Sequence, residues 1–175
     1  MKNILLGLAV ILLLVGCSED TPTSSSSCTG VVTAERGISF KLNGVLFDLE
    51  QMNGSQMISL SRNVSGVTEY EILSQSYSTS GPIVQISLKL EWNGITTGTY
   101  NWGNKFVDSG AYGCTIIIDS LRIGKRSMYQ STSGQTAIKV YPNLDSLFGR
   151  FCGQVKDSLG NAAEVSDGRF YTVND

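Results

Sequence analysis

The feature that most constrains the fold of this chain is an alternation of apolar and polar residues with a period of two. Residues 83–92 are its clearest example, because every second residue from Val84 to Trp92 is apolar and the residues between them are polar. Successive side chains of a β-strand point to opposite faces of the sheet, so the pattern predicts a strand with one dry face and one wet face. Such one-sided strands are typical of antiparallel sheets.

Turn residues divide the rest of the chain into similar segments. Asn43-Gly44 separates residues 38–42 from residues 45–48, and this pair tolerates the positive φ angles of a type I′ hairpin turn. Further strands are predicted at residues 57–61, 67–77, 98–102, 112–118, 136–141, 148–155 and 163–173. About ten short strands at this spacing predict an all-β fold, either an antiparallel β-sandwich or a flattened barrel. The predicted core residues are Phe40, Phe47, Val84, Ile86, Leu88, Leu90, Ile116, Ile138, Val140, Phe151 and Phe170.

The N-terminus has the form of an export signal. Met1-Lys2-Asn3 is followed by the apolar run from Ile4 to Val15, which is too short to cross about 30 Å of hydrocarbon as a helix. The run ends in Leu14-Val15-Gly16-Cys17, which resembles the lipobox of bacterial lipoproteins. The resemblance implies that residues 1–16 are a lipoprotein signal peptide and that Cys17 is lipidated. The membrane is then a partner through the N-terminal lipid.

Residues 17–35 are predicted to be a tether and residues 36–175 a single all-β domain. Residues 18–27 contain no apolar side chain that could repay the entropy of ordering them. Without Lys2 the chain has 12 basic and 15 acidic residues. This mild acidity argues against nucleic acid as a partner, because such binding needs a basic surface.

Three cysteines remain after lipidation, which predicts one disulfide and one free thiol in an oxidising compartment. Cys114 and Cys152 both lie in predicted strands, so a bond between them is the preferred pairing. The alternative partner is Cys28, at the edge of the tether. The chain has no histidine and no closely spaced cysteine pair, so we expect no metal and no cofactor.

Two groups of residues are candidates for a functional site. Trp102 and Tyr100 lie in a polar, glycine-bounded segment and could form a ligand surface for a glycan or a protein; the other reading is that Trp102 closes the end of the sandwich. Glu69 and Glu71 are two apart on one strand face, as in a glycosidase-like hydrolase, although acids on a wet strand face are common. No catalytic residue is therefore assigned.

Two further resemblances concern the cell envelope. Asp157-Ser158-Leu159 resembles the aspartate-serine-apolar signal for O-glycosylation in Bacteroidetes-type exported proteins, which makes Ser158 a candidate acceptor. The segments that follow are similar to those of small Bacteroidetes-type lipoprotein β-domains of unknown function. They are Ile38-Ser39-Phe40-Lys41-Leu42-Asn43-Gly44, Gly98-Thr99-Tyr100, Gly149-Arg150-Phe151-Cys152-Gly153 and Val165-Ser166-Asp167-Gly168-Arg169-Phe170. The resemblance implies an outer-membrane location, on the cell surface or the periplasmic face.

These observations predict a lipid-anchored cell-envelope domain that acts by binding or as a structural component rather than by catalysis. The alternative is a secreted-type hydrolase with a carboxylate pair. Neither the oligomeric state nor the ligand can be inferred from the sequence.

Overall fold

The structure is a computed structural model that describes Cys28 and residues 37–49, 56–64, 67–77, 84–94, 96–120, 124–141 and 146–173. For strand residues 56–64, 67–70, 76–77, 141, 146 and 173 only the backbone is described. Cys17 and the rest of residues 1–27 lie outside the described residues. The strands are β1 (Gly37–Leu42), β2 (Val45–Asp48), β3 (Gln56–Val64), β4 (Val67–Tyr77), β5 (Val84–Asn93), β6 (Gly98–Asn101), β7 (Cys114–Ser120), β8 (Lys125–Tyr141), β9 (Ser146–Asp157) and β10 (Ala162–Val173).

All ten strands belong to one antiparallel sheet. Their order is β2-β1-β10-β9-β8-β7-β5-β4-β3, and β6 also pairs with β8. The sheet is curled into a half-barrel, and the predicted all-β antiparallel fold is confirmed. Strands β6 and β7 lie end to end along the same edge of β8, because β6 pairs with residues 135–138 and β7 with residues 125–130. Residues 102–113 join these two strands. They interrupt what would otherwise be one long strand paired with β8.

The curl of the sheet brings distant strands into contact across its inner face. The ring of Trp92 on β5 stacks on Phe170 of β10 at 5.9 Å between centroids, although three strands separate β5 from β10 in the sheet. The alternation in β5 is confirmed, because Ile86, Leu88 and Leu90 are fully buried and the polar residues between them are not. Of the predicted core, only Phe47, Val84 and Val140 are half-buried instead of buried; they pack against its margin.

Pairing between glycine and phenylalanine joins β9 to β10. Phe170 lies opposite Gly149, and Phe151 lies opposite Gly168. A Cβ atom at Gly149 would lie 2.5 Å from the ring of Phe170, and one at Gly168 would lie 2.7 Å from the ring of Phe151. Each ring therefore fills the space left by the glycine across the ladder, which fixes the register of the two strands.

The predicted opening hairpin is confirmed. Residues 45–48 form β2 as predicted, and Asn43 and Gly44 adopt φ angles of 49° and 79°. The predicted strand at residues 136–141 is the end of the much longer β8, which begins at Lys125. None of the described residues forms a helix of the length and apolar character that a membrane span requires.

Candidate functional site

Of the two aromatic residues considered as a ligand surface, one is buried and the other is half-buried. Trp102 is only 7% exposed and belongs to the core cluster, so of its two predicted roles the ring that closes the end of the sheet is observed and the ligand surface is wrong. Its indole N–H donates to the hydroxyl of Thr136 at 2.8 Å. Tyr100 is half-buried and donates its hydroxyl hydrogen bond to the carbonyl of Thr96 at 2.7 Å. Both side chains therefore make hydrogen bonds within the protein.

Glycines on two neighbouring strands make the pocket for Trp102. A Cβ atom at Gly134 would lie 2.5 Å from the indole ring, and one at Gly153 would lie 2.7 Å from it. These two glycines are paired across β8 and β9. The ring fits there because neither strand carries a side chain at that position, so Trp102 closes the sheet where β6 ends.

Residues 103–112 form a loop with a well-defined internal structure, and we refer to them as the excursion loop. Its neck is closed by the N–H of Gly103, which donates to the carbonyl of Tyr112 at 2.9 Å. Asn104 organises the tip, because its carbonyl accepts from Val107 and Asp108 and its side chain accepts from the N–H of Phe106. The backbone of Lys105 donates to Ser131 of β8, which ties the loop to the sheet.

A row of four charged side chains fastens this loop to β5. Lys105 forms an ion pair with Glu91, and Lys89 bridges Glu91 at 2.8 Å and Glu71 at 3.1 Å. The side chain of Lys105 is only 8% exposed, so its partner is essential to its burial. Burial raises the pKa of the Glu91 carboxyl, but the hydrogen bonds and charges of Lys105 and Lys89 outweigh this and hold the pKa below its ordinary value.

Glu71, one acid of the predicted carboxylate pair, belongs to this row. Glu71 faces Glu91 across the β4–β5 ladder and shares Lys89 with it, and only the backbone of Glu69 is described. A glycosidase needs one carboxyl whose pKa is raised so that it can act as an acid. Glu91, the carboxyl opposite Glu71, does not meet that requirement, because its pKa is lowered. The row is suited to holding the excursion loop in place.

Glu91→Gln is expected to lower the free energy of unfolding by about 2 to 3 kcal/mol at pH 7, because it leaves Lys105 buried beside an uncharged amide. Denaturant titration of both proteins from pH 3 to pH 7 measures this. The contribution of the Glu91 carboxylate to stability is complete above its unfolded pKa of about 4.5. It is lost as the pH falls through the lower pKa of the folded state. The difference between wild type and variant should therefore shrink on acidification.

The matched control is Glu71→Gln, which leaves Lys89 paired with Glu91. A partly exposed pair of this kind contributes about 0 to 1 kcal/mol. An equal loss in both variants, or a Glu91→Gln loss that does not change with pH, would contradict the role given to Glu91.

The disulfide joins Cys28 to Cys152, with 5.8 Å between their Cα atoms, and Cys114 is a free, buried thiol. The preferred pairing of Cys114 with Cys152 is therefore wrong, and the alternative partner is the one observed. Cys114 lies opposite the buried Leu90, whereas Cys152 lies between Phe151 and Gly153, which face the core. The two cysteines thus point to opposite faces of the sheet and cannot meet.

The chemistry of the two cysteine positions differs accordingly. Burial raises the pKa of the Cys114 thiol well above its ordinary value, so it stays protonated and unreactive. Cys28 lies on the outer face of β9, where its carbonyl accepts from the guanidinium of Arg150 at 3.4 Å. The segment that follows the predicted anchor is therefore attached to the middle of the sheet.

Ser158 lies exposed in the turn between β9 and β10, and its glycosylation stays a prediction. Asp157 organises this turn: its carboxylate accepts from the N–H groups of Leu159 and Asn161 and from the Asn161 amide. The hydrogen bond from Asn161 and the neighbouring N–H groups lower the pKa of Asp157. Among the described residues, no three potential ligands from His, Cys, Asp and Glu are grouped as a metal site would need.

Comparison with known proteins finds no matching family model, no similar curated protein and no similar solved structure.

Proposed function

We propose that this chain is a lipid-anchored protein of the bacterial outer membrane whose β-domain has a binding or structural role. Cleavage before Cys17 would leave that cysteine as the lipidated N-terminus. The resemblance to Bacteroidetes-type lipoprotein β-domains supports the same location. The serine that follows the acceptor cysteine is compatible with transfer to the outer membrane.

The observation that carries the proposal is the disulfide between Cys28 and Cys152. Disulfides form and persist in oxidising compartments such as the periplasm and the cell surface, so the bond supports export of the domain. It also attaches the domain to a point only 11 residues beyond the predicted lipid. A short connection of this kind suits a domain that works close to the membrane.

Cys17→Ala is expected to abolish lipid attachment and to release the protein from the membrane fraction, because no other cysteine is directly preceded by a lipobox-like sequence. Metabolic labelling with a fatty-acid probe, followed by membrane fractionation, measures both effects. Ser18→Ala is the matched control and should still be labelled. A Cys17→Ala protein that incorporates the probe and stays in the membrane fraction would overturn the proposal.

The binding role is tested with the full-length lipoprotein in detergent, presented to a glycan array and, separately, to chemical cross-linking in its native membrane. A glycan ligand predicts saturable array binding, and a protein ligand predicts one cross-linked partner in stoichiometric amount. If neither binding nor a cross-linked partner is found, the domain has the structural role. Rapid cleavage of a glycoside substrate would instead support the hydrolase.

A further inference from the structure

Large apolar side chains are exposed at few places in the part of the chain that the structure describes. They are Val45, Leu46, Phe106, Val107, Met128 and Leu159. Val107 and Leu159 are the most exposed, at 84% and 85%. Met128 lies within β8. The others belong to three places: the start of β2 beside the β1–β2 turn, the excursion loop and the β9–β10 turn. Exposed apolar groups on separate loops are significant when the fold brings those loops to one end.

The register of the sheet aligns these three places along the C-terminal part of β9. The hairpin turn is level with Gln154, because Asn43 bonds to the backbone of Glu164, which pairs with Gln154. The neck of the excursion loop is level with Val155, because Lys105 bonds to Ser131, the partner of Val155. The β9–β10 turn begins directly after Asp157. We call the residues Val45, Leu46, Phe106, Val107 and Leu159 the apolar rim.

Internal hydrogen bonds order the backbone at three of the rim residues, Phe106, Val107 and Leu159. Within the excursion loop, Asn104 bonds to Phe106 at 3.0 Å and to Val107 at 3.1 Å. In the β9–β10 turn, Asp157 bonds to the N–H of Leu159 at 2.9 Å. The exposure of these apolar groups is therefore built into turns that are already ordered. Little conformational entropy would be lost when a partner covers them.

The tether is short enough to keep the domain close to the membrane that holds the lipid. Cys152 lies on the same strand as Gln154, so Cys28 is fixed close to the level of the rim. The 11 residues from Cys17 to Cys28 span at most about 36 to 40 Å. A compact domain of this size is roughly 35 to 40 Å across, so every part of its surface can reach the membrane that holds the lipid.

We propose that the apolar rim lies in the interfacial region of the bilayer to which the chain is anchored, so that the domain is held against the membrane in one orientation. The inference rests on the proposed function, because it needs the lipid at Cys17. A few apolar side chains bind a bilayer weakly as free groups. On an anchored domain the same contact is intramolecular, and a short connection provides an effective concentration in the millimolar range.

The test uses the full-length lipoprotein, purified from membranes and reconstituted into vesicles of phosphatidylethanolamine and phosphatidylglycerol with brominated acyl chains. Each variant gains one tryptophan, through Phe106→Trp or Leu159→Trp, and Thr99→Trp is the control. Thr99 is exposed on β6, away from the three places of the apolar rim. The wild-type protein measures the background of Trp92 and Trp102, both of which are buried.

Bromine quenching of Phe106→Trp and Leu159→Trp is expected to exceed that of Thr99→Trp by about threefold or more, since interfacial side chains sit about 5 to 10 Å into the headgroup and acyl boundary. If the protein is acylated and the three variants are quenched equally or not at all, the membrane contact of the apolar rim is wrong and the proposed function is unaffected. The mass of the N-terminal peptide reports acylation separately. An unacylated peptide would contradict the proposed function and, with it, the anchored contact.

Discussion

Cys28→Ser is expected to lower the free energy of unfolding by up to about 5 kcal/mol, the amount that chain entropy assigns to a closed loop of 124 residues. The loop contains β1 to β8 and the first half of β9, so the loss of the bond allows the unfolded chain many more conformations. The folded domain loses few other contacts, because Cys28 is only half-buried and β1 begins nine residues later. Denaturant titration under non-reducing conditions measures the loss.

Wild-type protein in excess reductant is the control for Cys28→Ser and should unfold at the same denaturant concentration as the variant. Non-reducing peptide mapping of the wild type provides a direct check on the connectivity. A disulfide peptide that contains Cys114 would contradict the arrangement, as would a variant as stable as the oxidised protein.

Phe151→Ala is expected to cost about 3 to 5 kcal/mol, the usual range for removing a large aromatic side chain from a core. Phe151 is fully buried, and its ring packs against Phe40 at 6.1 Å and Phe170 at 6.4 Å between centroids. Gly168, opposite Phe151 in the ladder, has no side chain that could fill the resulting cavity. The loss is measured by denaturant unfolding monitored by circular dichroism.

Phe148→Ala is the matched control, because Phe148 lies on the same strand but is half-buried. Its loss should be about 1 to 2 kcal/mol, since part of its apolar area is already in water. If both variants lost the same stability, the assignment of Phe151 to the central core would be wrong.

The strands that could be predicted are those in which local pattern and tertiary environment agree. The alternation in β5 places Leu88 inside and Lys89 outside, and Asn43-Gly44 adopts the backbone angles that a tight hairpin needs. The first half of β8 could not be predicted in this way, because residues 125–135 are mostly polar and do not alternate. They form a strand because β7 pairs with residues 125–130 and β9 with residues from 129 onward.

The candidate site shows the same division. The exposed position of Ser158 follows from its turn residues, whereas the burial of Trp102 depends on Gly134 and Gly153, which are 32 and 51 positions away in the chain. A polar, glycine-rich neighbourhood indicates an exposed ring when only the local sequence is considered. The close approach of two other strands at glycine positions decides otherwise.

By itself, the sequence determined the all-β class, the opening hairpin and the inner face of β5, because these depend on side-chain alternation and turn chemistry within a few residues. Only the tertiary structure decided which cysteines are bonded, where Trp102 lies and which loops share one end of the sheet. Each of these depends on strand register and on the curl of the sheet. Those are properties of pairing between distant segments, and a one-residue change of register would turn Cys152 to the opposite face.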